Sequence, residues 1–202
     1  MAYNLKMTSY LSGATVNQLQ GWARRGLLVP EVNPARPKLY SFRDLVAARS
    51  VARLRAFTSL QSITKAIRTL NYLELEDHLS TFRFGYDGRS IKVWTEGNLM
   101  DIEKKPGQFE IFAFRDIYAP FENFRGRDVP DLMNPSKGIT VNPRIFGGKP
   151  TIAGTRVTYD TLAGYSDLIE EGANIEDFYP FLTSDDVKNA VRFEQDFEAY
   201  AG

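Results

Sequence analysis

Residues 8–30, TSYLSGATVNQLQGWARRGLLVP, read as two short helices broken by a turn. Gly13 ends the first. Thr15 is a good N-cap for the second, because its hydroxyl can accept from an otherwise unpaired first-turn N–H. Val16, Leu19, Trp22 and Ala23 then recur at helical spacing and make one apolar face. Asn17, Gln18, Gln20, Arg24 and Arg25 occupy the other face. Gly26 stops the helix and Pro30 prevents its resumption. Amides early on an exposed helix, with arginines at its end, suit base edges and phosphates respectively.

The next stretch, NPARPKLYSFRDLVAARSVARLRAF (33–57), frames a short loop between prolines and places Arg36 and Lys38 on it. KLYSF alternates like a small strand. Ser41 with Asp44 three residues later is a capping-box variant that opens a helix from Phe42 to about Ala56. A further helix runs from Leu60 to Tyr72 with Ile63, Ala66, Ile67 and Leu70 as its buried stripe. Helix, turn, helix, basic wing, helix is the order of a winged helix-turn-helix. Thr15, Asn17, Gln18, Gln20, Arg24, Arg25, Arg36, Lys38 and Arg43 are its candidate DNA contacts.

Charge supports that reading. The chain of 202 residues has a formal net charge of zero, but its ends differ. Residues 1–70 hold eleven Lys/Arg and two Asp/Glu, a net of +9; residues 160–202 hold two and eleven, a net of −9. The asymmetry points to a polyanion at one end and a cationic partner at the other, against the plainer reading of two solvated faces of different sign. There is no cysteine, which removes disulfides and thiolate chemistry, and a single histidine, His78, is expected at the surface or a helix end without metal partners. No apolar run reaches the roughly 18 residues of a membrane span. The start lacks the pattern of a signal peptide, so the chain reads as cytosolic.

These N-terminal residues resemble the MerR-like DNA-binding fold over about residues 3–72. LQGWARRGLLVP (19–30) is similar to its recognition-helix end and glycine stop, and KLYSFRDL (38–45) to its wing tyrosine and following helix. The first helix departs, with MTSYLSG (7–13) in place of an alanine-rich pattern. The resemblance implies DNA binding; the same fold also serves as a protein-binding module.

In the middle segment, 73–119, NYLELEDHLS (71–80) reads as the close of the preceding helix and residues 80–117 change character. TFRFGYDG, SIKVWTEGNLMDI and QFEIFAF alternate β-branched and aromatic residues with polar ones. Asp87-Gly88, Glu96-Gly97-Asn98 and Pro106-Gly107 are their turns. The expectation is a small antiparallel β-meander with Trp94 and nearby phenylalanines in its core, and a surface suited to dimerisation or partner contact. Residues 120–138, PFENFRGRDVPDLMNPSKG, lack periodicity and read as a linker.

GGKPTIAGTRVT (147–158) raises the question of a phosphate loop. A P-loop requires G-x-x-x-x-G-K-[ST], but here Pro150 follows Lys149, and G-x-G-x-x-G is absent as well. The glycines are better explained by a tight turn with positive φ, stiffened by Pro150, with PTIAG and TRVTY as short extended pieces joined through Gly154. Within residues 139–197, Ile139, Pro143, Gly147, Gly148, Lys149, Pro150, Ile152, Gly154, Thr155 and Arg156 match the opening motif of domain of unknown function 433. Gly172, Tyr179-Pro180, Leu182, Thr183 and Val187 match its second motif, while Asn174 and Ile175 depart from it. The resemblance implies a small helical module of three helices, helix-turn-helix-like, after a short hairpin. It also implies an antitoxin (VapB-like) of a type II toxin–antitoxin pair whose partner is a PIN-like ribonuclease. From the residues themselves, Leu162, Tyr165, Leu168 and Ile169 form one apolar stripe ended by Gly172. Ile175, Phe178 and Phe181 belong to a second short helix, and Thr183 with Asp186 caps a third.

The fold class is therefore α+β, in four segments: 1–72, 73–119, 120–138 and 139–202. Two function classes stay open, an antitoxin that binds its own operator and a MerR-like regulator without a toxin partner. Catalysis is not expected; Asp160, Asp167, Glu170 and Glu171 read as a solvated face, and neither cofactor nor metal is called for. A palindromic operator would make the DNA-bound form a homodimer. The acidic tail VRFEQDFEAYAG, with Phe193, Phe197 and Tyr200 as anchors and Glu194, Asp196 and Glu198 as charges, is the expected toxin contact.

Overall fold

The computed structural model describes residues 2–72, 78–95, 98–101, 112–113 and 117–201. The first half is built from four helices whose ends follow local signals. Helix α1 (Leu5–Ser12) starts where the Asn4 side chain accepts from Met7 N at 2.8 Å, and stops at Gly13, which has φ 78°. Helix α2 (Val16–Arg24) opens on a reciprocal box: Gln18 N donates to Thr15 Oγ1 at 3.2 Å and Thr15 N to Gln18 Oε1 at 2.8 Å. Ser41 and Asp44 form the same device for α3 (Phe42–Leu54), and α4 (Leu60–Tyr72) follows. The α4 stripe read from the sequence is buried in full, with Ile63, Ala66, Ile67 and Leu70 in the core, whereas of the α2 face Leu19 and Trp22 are buried and Val16 and Ala23 half-buried.

The middle sheet is antiparallel, with β1 (Arg83–Tyr86), β2 (Ile91–Thr95), β3 (Asn98–Asp101) and β4 (Phe112–Ala113). Its order is β3-β2-β1-β4, so the last strand does not extend the expected meander beyond β3 but returns to β1. The Asp87-Gly88 turn joins β1 to β2, with Asp87 Oδ1 accepting from Arg89 N and Ser90 N at 2.9 and 2.7 Å. Phe82 and Phe84 are buried as expected. The turns at Glu96-Gly97 and Pro106-Gly107, most of QFEIFAF and the side chain of Trp94 lie outside the described residues.

Residues 120–138 are a packed strap, which corrects their reading as a linker. They form a hairpin, β5 (Phe121–Glu122) with β6 (Asp128–Val129), lying against α1. Arg49 of α3 is wholly buried, and its guanidinium donates to the carbonyls of Leu11, Ile117, Tyr118, Ala119 and Pro130 at 2.5–3.1 Å. Sparse hydrophobic periodicity concealed this because the strap is held through its backbone, which a side-chain pattern does not report.

In the last quarter, β7 (Ile139–Thr140) pairs with β8 (Thr151–Ile152), followed by α5 (Tyr159–Ala163), α6 (Ser166–Glu170) and α7 (Ser184–Ala201). The helix expected through Leu162–Ile169 is broken at Gly164, a weak helix former. Across that break Leu168 turns outward, 44% exposed, rather than into the stripe. A 3-10 turn (Ile175–Asp177) replaces the expected second helix, burying Ile175 but leaving Phe178 and Phe181 in solvent. Helix α7 begins at the anticipated Thr183–Asp186 box. It packs on both α5 and α1, so the two ends of the chain share one core.

Candidate nucleic-acid interface

The exposed side of α2 faces the loop 33–39. That loop is closed by paired backbone hydrogen bonds between Asn33 and Leu39 at 3.0 and 3.1 Å, and by Asn33 Nδ2 donating to Pro37 O at 2.8 Å. Between helix and loop lies an open groove of about 1010 Å³ lined by Gln20, Arg24, Arg36, Lys38 and Lys6, with Glu198 of α7 at its edge. Four candidates taken from two sequence segments thus meet in one place. Lys38 is partly restrained, its Nζ donating to Pro34 O at 2.5 Å, whereas Arg24 and Arg36 are exposed. Glu198 forms an ion pair with Lys6.

The glycine-rich stretch is architectural. Phe146, Gly147 and Gly148 have φ of 46°, 60° and 90°. The Tyr3 hydroxyl donates to Gly148 O, and a Cβ on Gly148 would lie 2.5 Å from that hydroxyl and 2.9 Å from Phe42 Cδ2. Gly148 is therefore one of the points at which the N-terminal helices meet the C-terminal unit, beside the packing of α1 on α7. Lys149 Nζ is 2.5 Å from Asp160 Oδ2. Burial alone would raise the Asp160 carboxyl, but Lys149 and Thr158 outweigh it and hold the group below its usual range. Pro150 is buried, and Thr155 closes the turn through Ile152 O and Val157 N at 3.0 Å each. Gly154, with φ 75°, and Arg156, over the Phe146 ring at 5.7 Å, face a separate open groove of about 1090 Å³.

Residues 3–70 match the MerR HTH family of regulatory proteins. The chain carries a MerR-family helix-turn-helix domain. Residues 139–193 match a family described as a protein of unknown function (DUF433). No curated relative and no solved structure matches the chain.

Within the MerR-family domain the remaining candidates separate. Thr15 is the N-cap and Gln18 spends its carbonyl oxygen on that cap, so Gln18 is not a free reading amide. Asn17 is exposed on α2, outside the groove residues. Arg25 lines a different, smaller recess of about 410 Å³ with Gln61, Lys65 and Arg68 of α4. Arg43 is exposed and lies 3.7 Å from Glu31. Sequence reasoning passed over Lys6, Lys65 and Arg68. For α4 a signal was present: Gln61, Lys65 and Arg68 follow helical spacing on the face opposite the buried stripe.

The tail contact requires correction. Phe193 and Phe197 are 0% and 1% exposed, on the inner face of α7 against Tyr159, with ring centroids 5.1 and 5.8 Å away. Their spacing of four places them with Ala190 on one helical stripe, which packing on α1 and α5 buries. Tyr200 is half-buried, edge-on to Tyr10 at 5.5 Å, and receives Asn123 Nδ2 on its hydroxyl at 3.0 Å. Glu194 is exposed and Asp196 half-buried, and neither belongs to a free tail.

His78 has partners that the sequence did not reveal. Its Nε2 lies 3.3 Å from Asp44 Oδ1 and 3.8 Å from Glu31 Oε1, the three forming a set able in principle to hold a metal. With Nδ1 accepting from Ser80 N at 3.2 Å, Nε2 carries the proton and donates to Asp44. The arrangement is satisfied as a hydrogen-bonded tie between Asp44 of α3, Glu31 ahead of the 33–39 loop and the 3-10 turn Leu79–Thr81 before β1. No described helix is long and apolar enough to cross a membrane.

Proposed function

We propose that this protein is the antitoxin of a type II toxin–antitoxin pair, binding its own operator through the MerR-family domain and neutralising a PIN-like ribonuclease through the remainder. The observation that carries the reading is the joining, in one core, of a basic helix-turn-helix groove to an acidic C-terminal stretch, residues 160–202, of net charge −9. A nuclease keeps a cationic surface for RNA, which complementary acidic charge would attract. As a DNA-bound homodimer the protein would match a two-fold operator.

Co-expression with the product of the adjacent gene, followed by a ribonuclease assay, tests the reading. Stoichiometric complex formation with loss of RNA cleavage is expected. If no complex forms while a promoter duplex is still shifted, the chain is a regulator without a toxin partner. Light scattering on the DNA complex should give two chains per duplex; one chain per duplex at saturation rejects the homodimer.

A further inference from the structure

We propose that the aromatic ladder Phe178–Tyr165–Tyr179–Phe181 is the docking surface for a protein partner presenting apolar side chains within a basic surface. Resting on the reading above, that partner is the ribonuclease. The rings are in sequence contact: Tyr165 to Phe178 at 5.1 Å, Tyr165 to Tyr179 at 5.8 Å and Tyr179 to Phe181 at 6.0 Å between centroids. Yet Phe178 and Phe181 are 49% and 64% exposed, and Leu168, three residues after Tyr165, is 44% exposed. Clustered exposed aromatics of this kind cost free energy in water, and covering them lowers it. Because the rings brace one another, little side-chain freedom is lost on binding.

Charge narrows the occupant to a basic protein. Asp167 and Glu170 of α6, then Glu171, Glu176 and Asp177, are all exposed around the ladder. Only Lys188 and Arg192 supply positive charge from residue 160 onward. Phosphate is repelled there, whereas lysines and arginines are attracted, and arginine can also stack on the ring faces. An apolar centre inside a charged rim is the usual distribution of binding energy at protein interfaces. Phe181 further walls the open groove of about 1090 Å³ whose lining includes Val141, Ile145, Thr155 and Arg156, giving a recess for one side chain of the partner. The recess brings Thr155 and one cation, Arg156, to the edge of this otherwise acidic surface.

The test compares the full chain with its Phe178→Ser/Phe181→Ser variant, each co-expressed with the tagged adjacent-gene ribonuclease. Both side chains are exposed, so the variant should keep its thermal midpoint and its operator gel shift. Association should weaken by about 100-fold and RNA cleavage should return. A Glu170→Gln/Glu176→Gln variant should associate more slowly at low salt and converge with the parent at high salt. Parental binding by the serine variant overturns the proposal and leaves the antitoxin reading standing. Failure of the parent chain to bind the ribonuclease overturns both. Self-association of the parent that the serine variant abolishes makes a second copy the occupant, which also overturns it.

Discussion

Gly148 and Tyr40 show how differently single buried positions respond to substitution. Gly148 combines a left-handed backbone with a Cβ position already taken by Tyr3 and Phe42. Gly148→Ala is expected to cost roughly 2–4 kcal/mol in urea unfolding, as left-handed strain and overpacking add. A cost below about 1 kcal/mol would mean that the N-terminal helices give way easily there. Tyr40 is the opposite case: wholly buried, with no partner for its hydroxyl among the described residues. Burial, with Asp44 adding to it, pushes that phenol up to about 12. Tyr40→Phe removes an unsatisfied polar atom, so stability should hold or rise by up to about 1 kcal/mol. A clear drop in melting temperature would reveal a partner for the hydroxyl.

Among the elements, the strap depends on one side chain. Arg49→Met would remove the guanidinium donor from the carbonyls of Leu11, Ile117, Ala119 and Pro130, and leave Tyr118 O with the Leu132 N–H at 2.7 Å. A loss of about 3–5 kcal/mol is expected, with protease cleavage appearing first within residues 117–131. Unchanged protection of that segment would count against Arg49 as its anchor. The β1–β2 turn carries a pH signature. Desolvation opposes ionisation of Asp87, but the N–H groups of Ser90 and Arg89 and the Lys92 ammonium at 3.1 Å prevail, lowering its carboxyl from 3.8 to about 2. The folded state thus binds this proton less readily than the unfolded chain. The contribution is complete above pH 3.8 and is lost as pH falls towards 2. Asp87→Asn should flatten the acid limb of the melting-temperature profile across that window, and an unaltered limb would show that the turn carries none of it.

At the scale of the whole molecule, the docking of α7 on α1 brings opposite charges to one groove. Glu198 sits at the edge of the MerR-family groove and pairs with Lys6. Glu198→Gln should tighten binding to duplex DNA by several-fold at low salt, since Lys6 is freed for phosphate and a repulsive charge is removed. The gain should fade as salt rises. A gel-shift titration showing equal affinity at all salts would place the duplex away from this edge. The same docking explains MTSYLSG in the first helix: Met7 and Leu11 are buried, and Tyr10 meets Phe193 and Tyr200 edge to face at 6.0 and 5.5 Å. That helix has two packed sides, α3 and α7, where an alanine-rich surface would have too little to bury.

What the sequence determined by itself was local. Ser41 with Asp44 and Thr183 with Asp186 bond across three residues, so those helix starts could be read from spacing alone; Thr15 was legible as an N-cap, but its return bond from Gln18, read as a DNA contact, was not. Helical periodicity likewise identified the buried stripe of α4 and, on α2, the buried pair Leu19 and Trp22. The positive φ of the paired glycines followed from their lack of a Cβ. Only the tertiary structure decided that Phe193 and Phe197 face inward, that Phe178 and Phe181 face out, and that Arg49 binds a strap far along the chain. A period of 3.6 places residues on one face of a helix but does not say whether another element covers that face. Gly148 meets Tyr3 across 145 positions of sequence, and no spacing rule reaches that far. Coverage by distant elements is set by how all the apolar faces can be buried together, and that solution exists only in three dimensions.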